Sequence, residues 1–233
     1  MPSLRSLLLA SAVATCTSSS PLSLSIPTPI SNLIPSLGGS GGGGDFGGDT
    51  QNGLLAGACK PLTIIFARGS GETGNVGTAT GPPFFRAVAE RVGAANMAVQ
   101  GVEYGAAFLS VLGGGDAPGS AKMAELAQQA LSRCPTTKVV LSGYSQGGQL
   151  VHNAAKLLPA EAAQKIAGAV TFGDPDNGQS FANIPPGSGK IYCHPLDNIC
   201  QNGVLITPFH YSYSTQYVPA AADFVASTLS GKS

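Results

Sequence analysis

Five short apolar runs, rich in β-branched residues, recur along the chain and constrain its fold more than any other feature. They cover residues 62–67, 97–102, 138–142, 167–172 and 190–193. Apolar residues at helical spacing occupy residues 83–92, 120–133, 146–158 and 220–229. Short continuous apolar runs are typical of buried strands, and strands that alternate with helices form parallel sheets covered on both faces. The sequence therefore predicts an α/β fold, a three-layer α/β/α sandwich around a five-stranded parallel sheet.

The first 52 residues do not share this alternation. Arg5 precedes an apolar run at residues 7–14 that ends in small residues, a pattern typical of a secretory signal peptide, here residues 1–16. Residues 17–52 are rich in Ser, Pro and Gly and predict a disordered pro-segment or linker, because they cannot bury enough apolar surface to offset ordering. One folded domain is expected over residues 53–233.

The charge balance limits the partners that the chain can attract. Twelve Lys and Arg residues oppose twelve Asp and Glu residues, so there is no net field for nucleic acid or an anionic membrane. The run at residues 7–14 is far shorter than the roughly 20 residues of a membrane-spanning helix, and no later run approaches that length. We expect a secreted, soluble monomer with no membrane span and no nucleic-acid partner.

A short motif lies where a predicted strand ends and a predicted helix begins. Residues 143–147 read Gly-Tyr-Ser-Gln-Gly, a Gly-x-Ser-x-Gly pattern that also occurs at residues 38–42 within the glycine-rich segment. Only the first match has a strand before it and a helix after it, the context in which a strained turn exposes a nucleophilic serine. Ser145 is therefore the candidate nucleophile, and Ser40 is a chance match.

A serine nucleophile needs a histidine base and a carboxylate that orients the base, and the chain has three histidines. His152 lies on the same predicted helix as Ser145, about 10 Å along its axis, which favours a structural role. The other two histidines lie near the carboxyl ends of strands, and each follows an aspartate in the chain order that a serine elbow requires. Two triads are possible: Ser145, Asp197 and His210, or Ser145, Asp174 and His194.

Four cysteines fall in the predicted folded domain: Cys59, Cys134, Cys193 and Cys200. The first two precede strands, whereas the last two lie at and beyond the far end of another strand. A five-residue strand spans about 17 Å, and bridged Cα atoms approach within about 7 Å. We therefore predict that Cys59 pairs with Cys134 and that Cys193 pairs with Cys200.

The second predicted bridge bears on the choice between the triads. It would restrain the loop that contains Asp197, and Pro208 would stiffen the approach to His210. In contrast, Asp174 lies in a Gly-Asp-Pro sequence that is typical of a turn. Spacing alone favours the triad with Asp197 and leaves the other open.

An oxyanion needs preorganised donors, and two are available. The N–H of Gln146 follows the elbow, and Ser70 can offer its N–H and hydroxyl from the loop at residues 68–74. The same loop matches the Gly-x-Gly-x-x-Gly pattern of dinucleotide-binding proteins. That function needs a helix that opens within the glycines, and the glycine-rich residues 75–82, which end at a Pro-Pro pair, intervene. We therefore predict no nucleotide cofactor.

Taken together, these segments resemble the fungal cutinase family. The resemblance rests on residues 66–77, 99–102, 143–147, 172–175, 197–200 and 208–210, and it extends in order from Cys59 to the C-terminus. It implies a small lidless α/β-hydrolase that cleaves ester bonds in cutin and in short to medium acyl esters. It also implies that Ser145 is the nucleophile, Asp197 the acid and His210 the base. Ser70 and Gln146 would form the oxyanion hole, with no metal or cofactor.

The chain departs from the family pattern in places that bear on the acyl chain. Leu196 stands where many members have Gly, Gly71 stands where they have Thr, and the loop at residues 103–119 is different. Five apolar residues are candidates for holding the acyl chain: Ile199, Val204, Leu205, Ile206 and Phe84. We expect a polyester or lipid ester substrate. The alternatives are a carbohydrate esterase that removes acetyl groups from xylan and a non-enzymatic, surface-adsorbing protein.

Overall fold

The computed structural model describes residues 44–230 of the chain. Helices α1–α8 are Gly53–Ala56, Gly81–Val92, Phe108–Leu112, Ala117–Arg133, Gln146–Leu157, Ala160–Ala163, Tyr213–Gln216 and Val218–Leu229. Strands β1–β5 are Leu62–Ala67, Met97–Gly101, Lys138–Tyr144, Ile166–Phe172 and Gly189–Tyr192. Short 3-10 helices occupy Ala94–Asn96, Ile199–Gln201 and Pro208–Tyr211. Within residues 44–230, no helix combines the length and the apolar character needed to cross a membrane.

The five strands form one parallel sheet in the order β2-β1-β3-β4-β5. All five predicted strands are present, and the predicted α/β fold is confirmed. The register pairs Ala67 with Gly143 and Tyr144 with Phe172, so β1, β3 and β4 end side by side. Ligands of such sheets bind beyond the carboxyl ends of the strands. The loops that leave these ends therefore converge on one place.

Strands β1–β4 are buried on both faces, which is why they read as nearly continuous apolar runs, whereas the edge strand β5 is only partly buried. Ile65 and Leu141 belong to a core shared with α4 and α5, whereas Ile64, Phe66 and Val140 belong to a second core shared with α2 and α8. Successive side chains of a strand point to opposite faces. The sheet is therefore the middle of three layers.

Both disulfides have the predicted pairing. Cys59 bonds to Cys134 with a Cα–Cα distance of 5.5 Å, and Cys193 bonds to Cys200 with a Cα–Cα distance of 5.9 Å. The first joins the segments that precede the neighbouring strands β1 and β3. The second closes a short loop after β5, and Asp197 lies inside that loop.

Residues 44–52, which the sequence predicted to belong to a disordered linker, pack against the domain instead. The Phe46 side chain is buried in the core under α2. The Asp49 carbonyl accepts the N–H groups of Asn75 and Val76 at 2.9 Å, and the Gln51 carbonyl accepts that of Gly101 at 2.8 Å. The prediction was wrong here because one buried aromatic ring and the free edge of β2 order a segment of unfavourable composition. The predicted signal peptide and residues 17–43 lie outside the described residues.

A chain that begins at Gly53 should therefore be less stable than one that begins at Gly44. Loss of the Phe46 ring and of several backbone hydrogen bonds should lower the free energy of unfolding by about 2–4 kcal/mol. Urea unfolding of the two chains, followed by far-UV circular dichroism, measures this difference. Equal unfolding midpoints would show that residues 44–52 contribute nothing to the fold.

Candidate active site

Ser145 occupies the turn between β3 and α5 with φ of 55° and ψ of −122°, a strained conformation for a residue other than glycine. The flanking glycines allow this turn. A Cβ atom on Gly143 would lie 2.2 Å from the Gly147 carbonyl oxygen, and one on Gly147 would lie 2.1 Å from that of Ala67. The helix can therefore approach β1 and β3 only with glycine at both positions, and Ser145 is left 9% exposed at the end of the sheet.

A chain of hydrogen bonds joins Ser145 to a histidine and an aspartate. The His210 Nε2 atom lies 2.9 Å from the Ser145 Oγ atom, and the His210 Nδ1 atom lies 2.7 Å from the Asp197 Oδ2 atom. A carboxylate accepts only, so Nδ1 carries the ring proton and Nε2 is free to accept from the serine hydroxyl. The Asp197 side chain is fully buried, and His210 is almost so.

Three elements hold this arrangement. Asp197 lies in the loop that the Cys193–Cys200 bridge closes, and its Oδ1 atom accepts the N–H of Ile199 at 3.0 Å. His210 lies on the 3-10 helix Pro208–Tyr211. Its carbonyl accepts the Tyr144 hydroxyl at 2.8 Å, and the two rings stack with centroids 5.1 Å apart. Asp197 is thus held by Ile199 and the disulfide, and His210 is held by Tyr144, independently of the hydrogen bond between Asp197 and His210.

The environment of Asp197 favours the ionised carboxylate. Burial raises its pKa, but hydrogen bonds from His210 and Tyr213 outweigh burial and hold the pKa below the ordinary value of an aspartate. A carboxylate that stays ionised next to an imidazole stabilises the imidazolium form. The site can therefore let His210 take a proton from Ser145.

The second triad that the sequence left open does not occur. Asp174 is fully buried against α5, where its Oδ2 atom lies 3.1 Å from the Nε2 atom of His152. His194 stacks on Phe209 with ring centroids 4.5 Å apart, and its Nδ1 atom accepts the N–H of Leu196. The Asp174–His194 alternative is wrong because the carboxylate lies under the helix and pairs with its histidine.

His152, Asp174 and Asp176 bring ligand atoms within 4.8 Å of one another, a spacing that a cation could use. The Asp174 carboxylate is already engaged, since Oδ2 pairs with His152 and Oδ1 accepts the N–H of Asp176 at 2.9 Å. The His152 ring also stacks on Phe181. Both carboxylate oxygens of Asp174 and the Nε2 atom of His152 are therefore already engaged, and only the buried Nδ1 atom of His152 lacks a partner within residues 44–230.

Ser70 lines the same cleft as Ser145, and Gln146 directly follows the serine in the chain. Gln146 is the first residue of α5, so its N–H has no partner within the helix. The Ser70 hydroxyl oxygen is buried and has no hydrogen-bond partner within residues 44–230. Both residues therefore have donors available where a substrate oxyanion would form.

Glu72, which sequence reasoning missed, organises the loop that carries Ser70. Its carboxylate accepts the N–H groups of Gly69 at 2.7 Å and of Thr78 and Ala79 at 2.9 Å. The only signal in the sequence is a lone acidic residue within a glycine-rich loop. Glu72 fixes the curvature of the loop, so the Ser70 donors need no reorganisation when charge develops.

The serine opens into a small cleft whose walls are largely apolar. Among the predicted acyl-binding residues, Ile199 and Ile206 line it, and Val204 and Leu205 are 55% and 67% exposed in the same loop. Phe84 was predicted wrongly, because it faces the sheet from α2, is fully buried and packs on Phe172. Sequence reasoning did not include other lining residues: Phe108 and Val111 of α3, Tyr144 and Tyr211.

Three side chains of α5 tether the short helix α3 to the site. The amide groups of Gln146, Gln149 and Asn153 donate to the carbonyls of Ala107, Val111 and Gly114 at 2.8, 3.1 and 2.8 Å. These bonds hold Phe108 and Val111 in the wall of the cleft that Ile206 also lines. The cleft is thus formed between two segments that are anchored separately.

Comparisons with known proteins identify the family of the chain. A family model described as cutinase matches residues 58–229. The chain is 52% identical over 169 residues to a cutinase of Botryotinia fuckeliana and 51% identical over 169 residues to one of Monilinia fructicola, covering 72% of this chain and 84% of each relative. A cutinase of Trichoderma reesei, solved with a phosphonate inhibitor, is 38% identical with a TM-score of 0.73, covering 78% of this chain and 81% of that one. The chain belongs to the cutinase family and, like its members, is a carboxylic ester hydrolase.

Proposed function

We propose that this protein is a secreted serine esterase that hydrolyses the ester bonds of cutin and of short to medium acyl esters. The observation that carries the proposal is the hydrogen-bonded series from Ser145 through His210 to Asp197 at the mouth of an apolar cleft. That series has the geometry of a nucleophile, a base and an orienting acid. The kinship with cutinases supports the substrate class.

In the proposed reaction, the Ser145 oxygen attacks the ester carbonyl while His210 takes the hydroxyl proton. The carbonyl oxygen becomes an oxyanion, which the N–H of Gln146 and the N–H and hydroxyl of Ser70 stabilise. The intermediate collapses to a Ser145 acyl ester, and the alcohol leaves with the proton from His210. Water, deprotonated by His210, then attacks the acyl ester, and His210 returns the proton to the Ser145 oxygen as the acid leaves. No step of this route uses a metal or a cofactor.

The surroundings of the cleft favour an acyl chain over an acetylated sugar. Phe108, Ile206 and Tyr211 line the cleft and are exposed. Further exposed apolar side chains lie next to them in the chain: Leu109 and Leu112 on α3, and Val204 and Leu205 before Ile206. Contiguous exposed apolar surface in a soluble protein marks a site that binds an apolar partner. A polyester or lipid ester supplies that surface, whereas an acetyl group on xylan supplies little of it.

Secretion is part of the proposal. The predicted signal peptide at residues 1–16 supports it, and so do the two disulfides, because disulfides persist in oxidising compartments. The first residue of the protein in the culture medium, read by N-terminal sequencing, tests it. A first residue soon after position 16 is expected.

The substrate class is tested with p-nitrophenyl esters from acetate to palmitate, with acetylated xylan and with cutin films. We expect kcat/KM to be greatest for butyrate or a longer chain and hydroxy fatty acids to be released from cutin. Turnover restricted to acetate and acetylated xylan would instead assign a carbohydrate esterase. No turnover of any of these esters would refute the proposed function.

A further inference from the structure

One buried tyrosine touches the catalytic carboxylate, and the proposed mechanism does not use it. Tyr213, on α7, is fully buried and is among the largest buried side chains. Its hydroxyl lies 2.6 Å from Asp197 Oδ2, the same oxygen that accepts His210 Nδ1 at 2.7 Å. Asp197 Oδ1 accepts the N–H of Ile199. The carboxylate therefore has three donors, and two of them meet on the oxygen that faces the histidine.

We propose that Tyr213 is a positioning residue, which holds Asp197 in the orientation that His210 requires and draws charge from its Oδ2 atom. The inference rests on the proposed function and deepens it. Tyr213 does not touch the substrate or the serine in this role. It acts on the reaction only through Asp197.

The direction of the hydrogen bond follows from a second contact. The backbone N–H of His194 donates to the Tyr213 hydroxyl oxygen at 3.1 Å. A phenol oxygen that accepts from a backbone N–H keeps its own proton for another acceptor, and the nearest one is Asp197. Burial, together with the bond to Asp197, raises the pKa of Tyr213 far above its ordinary value, so the phenol stays protonated. A relay thus runs from the backbone after β5 through the phenol to the carboxylate.

The ring of Tyr213 is fixed by its surroundings. It packs on Tyr144, Phe172 and Tyr217 with centroid distances of 6.1, 6.3 and 5.5 Å. Gly173, at φ of 58°, leaves room for it, because a Cβ atom there would lie 3.0 Å from the Tyr213 ring and 2.9 Å from the His210 ring. The hydroxyl therefore has one position, and the carboxylate oxygen lies within its reach.

The hydroxyl of a buried tyrosine usually finds a hydrogen-bond partner, so the contact with Asp197 by itself would also fit a residue that only fills the core. A positioning role and a packing role differ in their effect on the proton affinity of Asp197 and His210. The groups that face Asp197 are His210, Tyr213, the N–H of Ile199 and the Cys193–Cys200 bridge, which does not titrate. Burial raises the pKa of Asp197, and the hydrogen bond from Tyr213 lowers it. Without the phenol hydroxyl, the Asp197–His210 pair would therefore bind a proton more readily. A packing role would leave that proton affinity unchanged.

The test is Tyr213→Phe, which removes one oxygen and keeps the ring, with Tyr192→Phe as the matched control. Tyr192 belongs to the same aromatic group through Phe172 and Tyr217, and its loss leaves all three donors to Asp197 in place. For Tyr213→Phe we expect kcat on p-nitrophenyl butyrate to fall about 10- to 100-fold with KM within about threefold, the effect of losing one charge-assisted hydrogen bond. The acid limb of the kcat/KM profile should move to higher pH. Tyr192→Phe should match the wild type in both.

Unchanged kcat and an unchanged acid limb in Tyr213→Phe would overturn the inference, and so would a lower kcat with an unmoved acid limb. If Tyr213→Phe does not fold, 3-fluorotyrosine at position 213 provides the test. Its more acidic hydroxyl donates more strongly, so the acid limb should move to lower pH, and no movement would refute the role. A wild type without ester hydrolysis, or an active Ser145→Ala, would instead refute the proposed function.

Discussion

Replacement of Ser145 by alanine is expected to lower kcat for ester hydrolysis by about 10⁵-fold or more, because no other group near His210 can form the acyl ester. Ser145 is the only residue whose hydroxyl meets His210 Nε2 within residues 44–230, at 2.9 Å. Alanine has the same backbone restrictions as serine at φ of 55°, so the strain of the elbow is unchanged. The variant should unfold at nearly the same urea concentration as the wild type.

Two further measurements make this result specific to the nucleophile. An alkyl phosphonate with a p-nitrophenyl leaving group should add its mass to the wild type at Ser145, and the Ser145→Ala protein should gain none. Ser40→Ala, which alters the other Gly-x-Ser-x-Gly sequence, should leave kcat unchanged. Retention of more than a hundredth of the wild-type kcat in Ser145→Ala would place the chemistry elsewhere.

The sheet was predictable because strands β1–β4 are buried on both faces. Such strands are apolar at most positions, and the runs at β1 and β3 stand out from the polar turns that bound them. The elbow was predictable for a related reason. A Cβ atom at position 143 or 147 would lie 2.1–2.2 Å from a backbone atom, so only glycine fits at either position. The close packing of the elbow is therefore visible in the sequence as two glycines.

The partners of the histidines could not be predicted in the same way. Asp174 and Asp197 both follow strand ends, and the chain order fits either one. The two aspartates differ in their position under the helices. Gly148 has no side chain, so α5 lies directly on Asp174, and the carboxylate pairs with His152 instead of facing the serine. This position depends on how a helix packs on the sheet, and the spacing of residues along the chain does not reveal that packing. The resemblance to a family, rather than the spacing, was what resolved this choice.

Three other residues had roles that the sequence did not predict, because those roles depend on contacts that form only in the folded chain. Helical periodicity shows that Phe84 is on the apolar face of α2 but not that this face meets Phe172 instead of the cleft. The role of Glu72 depends on three backbone N–H groups that converge only when the loop is folded. Tyr213 reads as an ordinary aromatic residue until its hydroxyl is placed beside Asp197.

The histidines provide the second large effect. His210→Ala should lower kcat by about 10⁴-fold or more, since it removes the base and leaves Asp197 without the group that it orients. His194→Ala should keep at least a tenth of the wild-type kcat. The His194 ring stacks on Phe209 and accepts a backbone N–H, and neither contact reaches Ser145.

Both histidine variants should be measured on the same ester at several pH values, with unfolding midpoints to correct for stability. The His194 ring stabilises the segment that leads to His210, so His194→Ala should lose some stability while its remaining activity keeps the wild-type pH profile. An inactive His194→Ala beside an active His210→Ala would reassign the base. His194 lies in the loop after β5 and His210 lies on the 3-10 helix Pro208–Tyr211, and only the His210 ring meets the serine. This pair of variants therefore separates a role in the chemistry from a role in the packing around it.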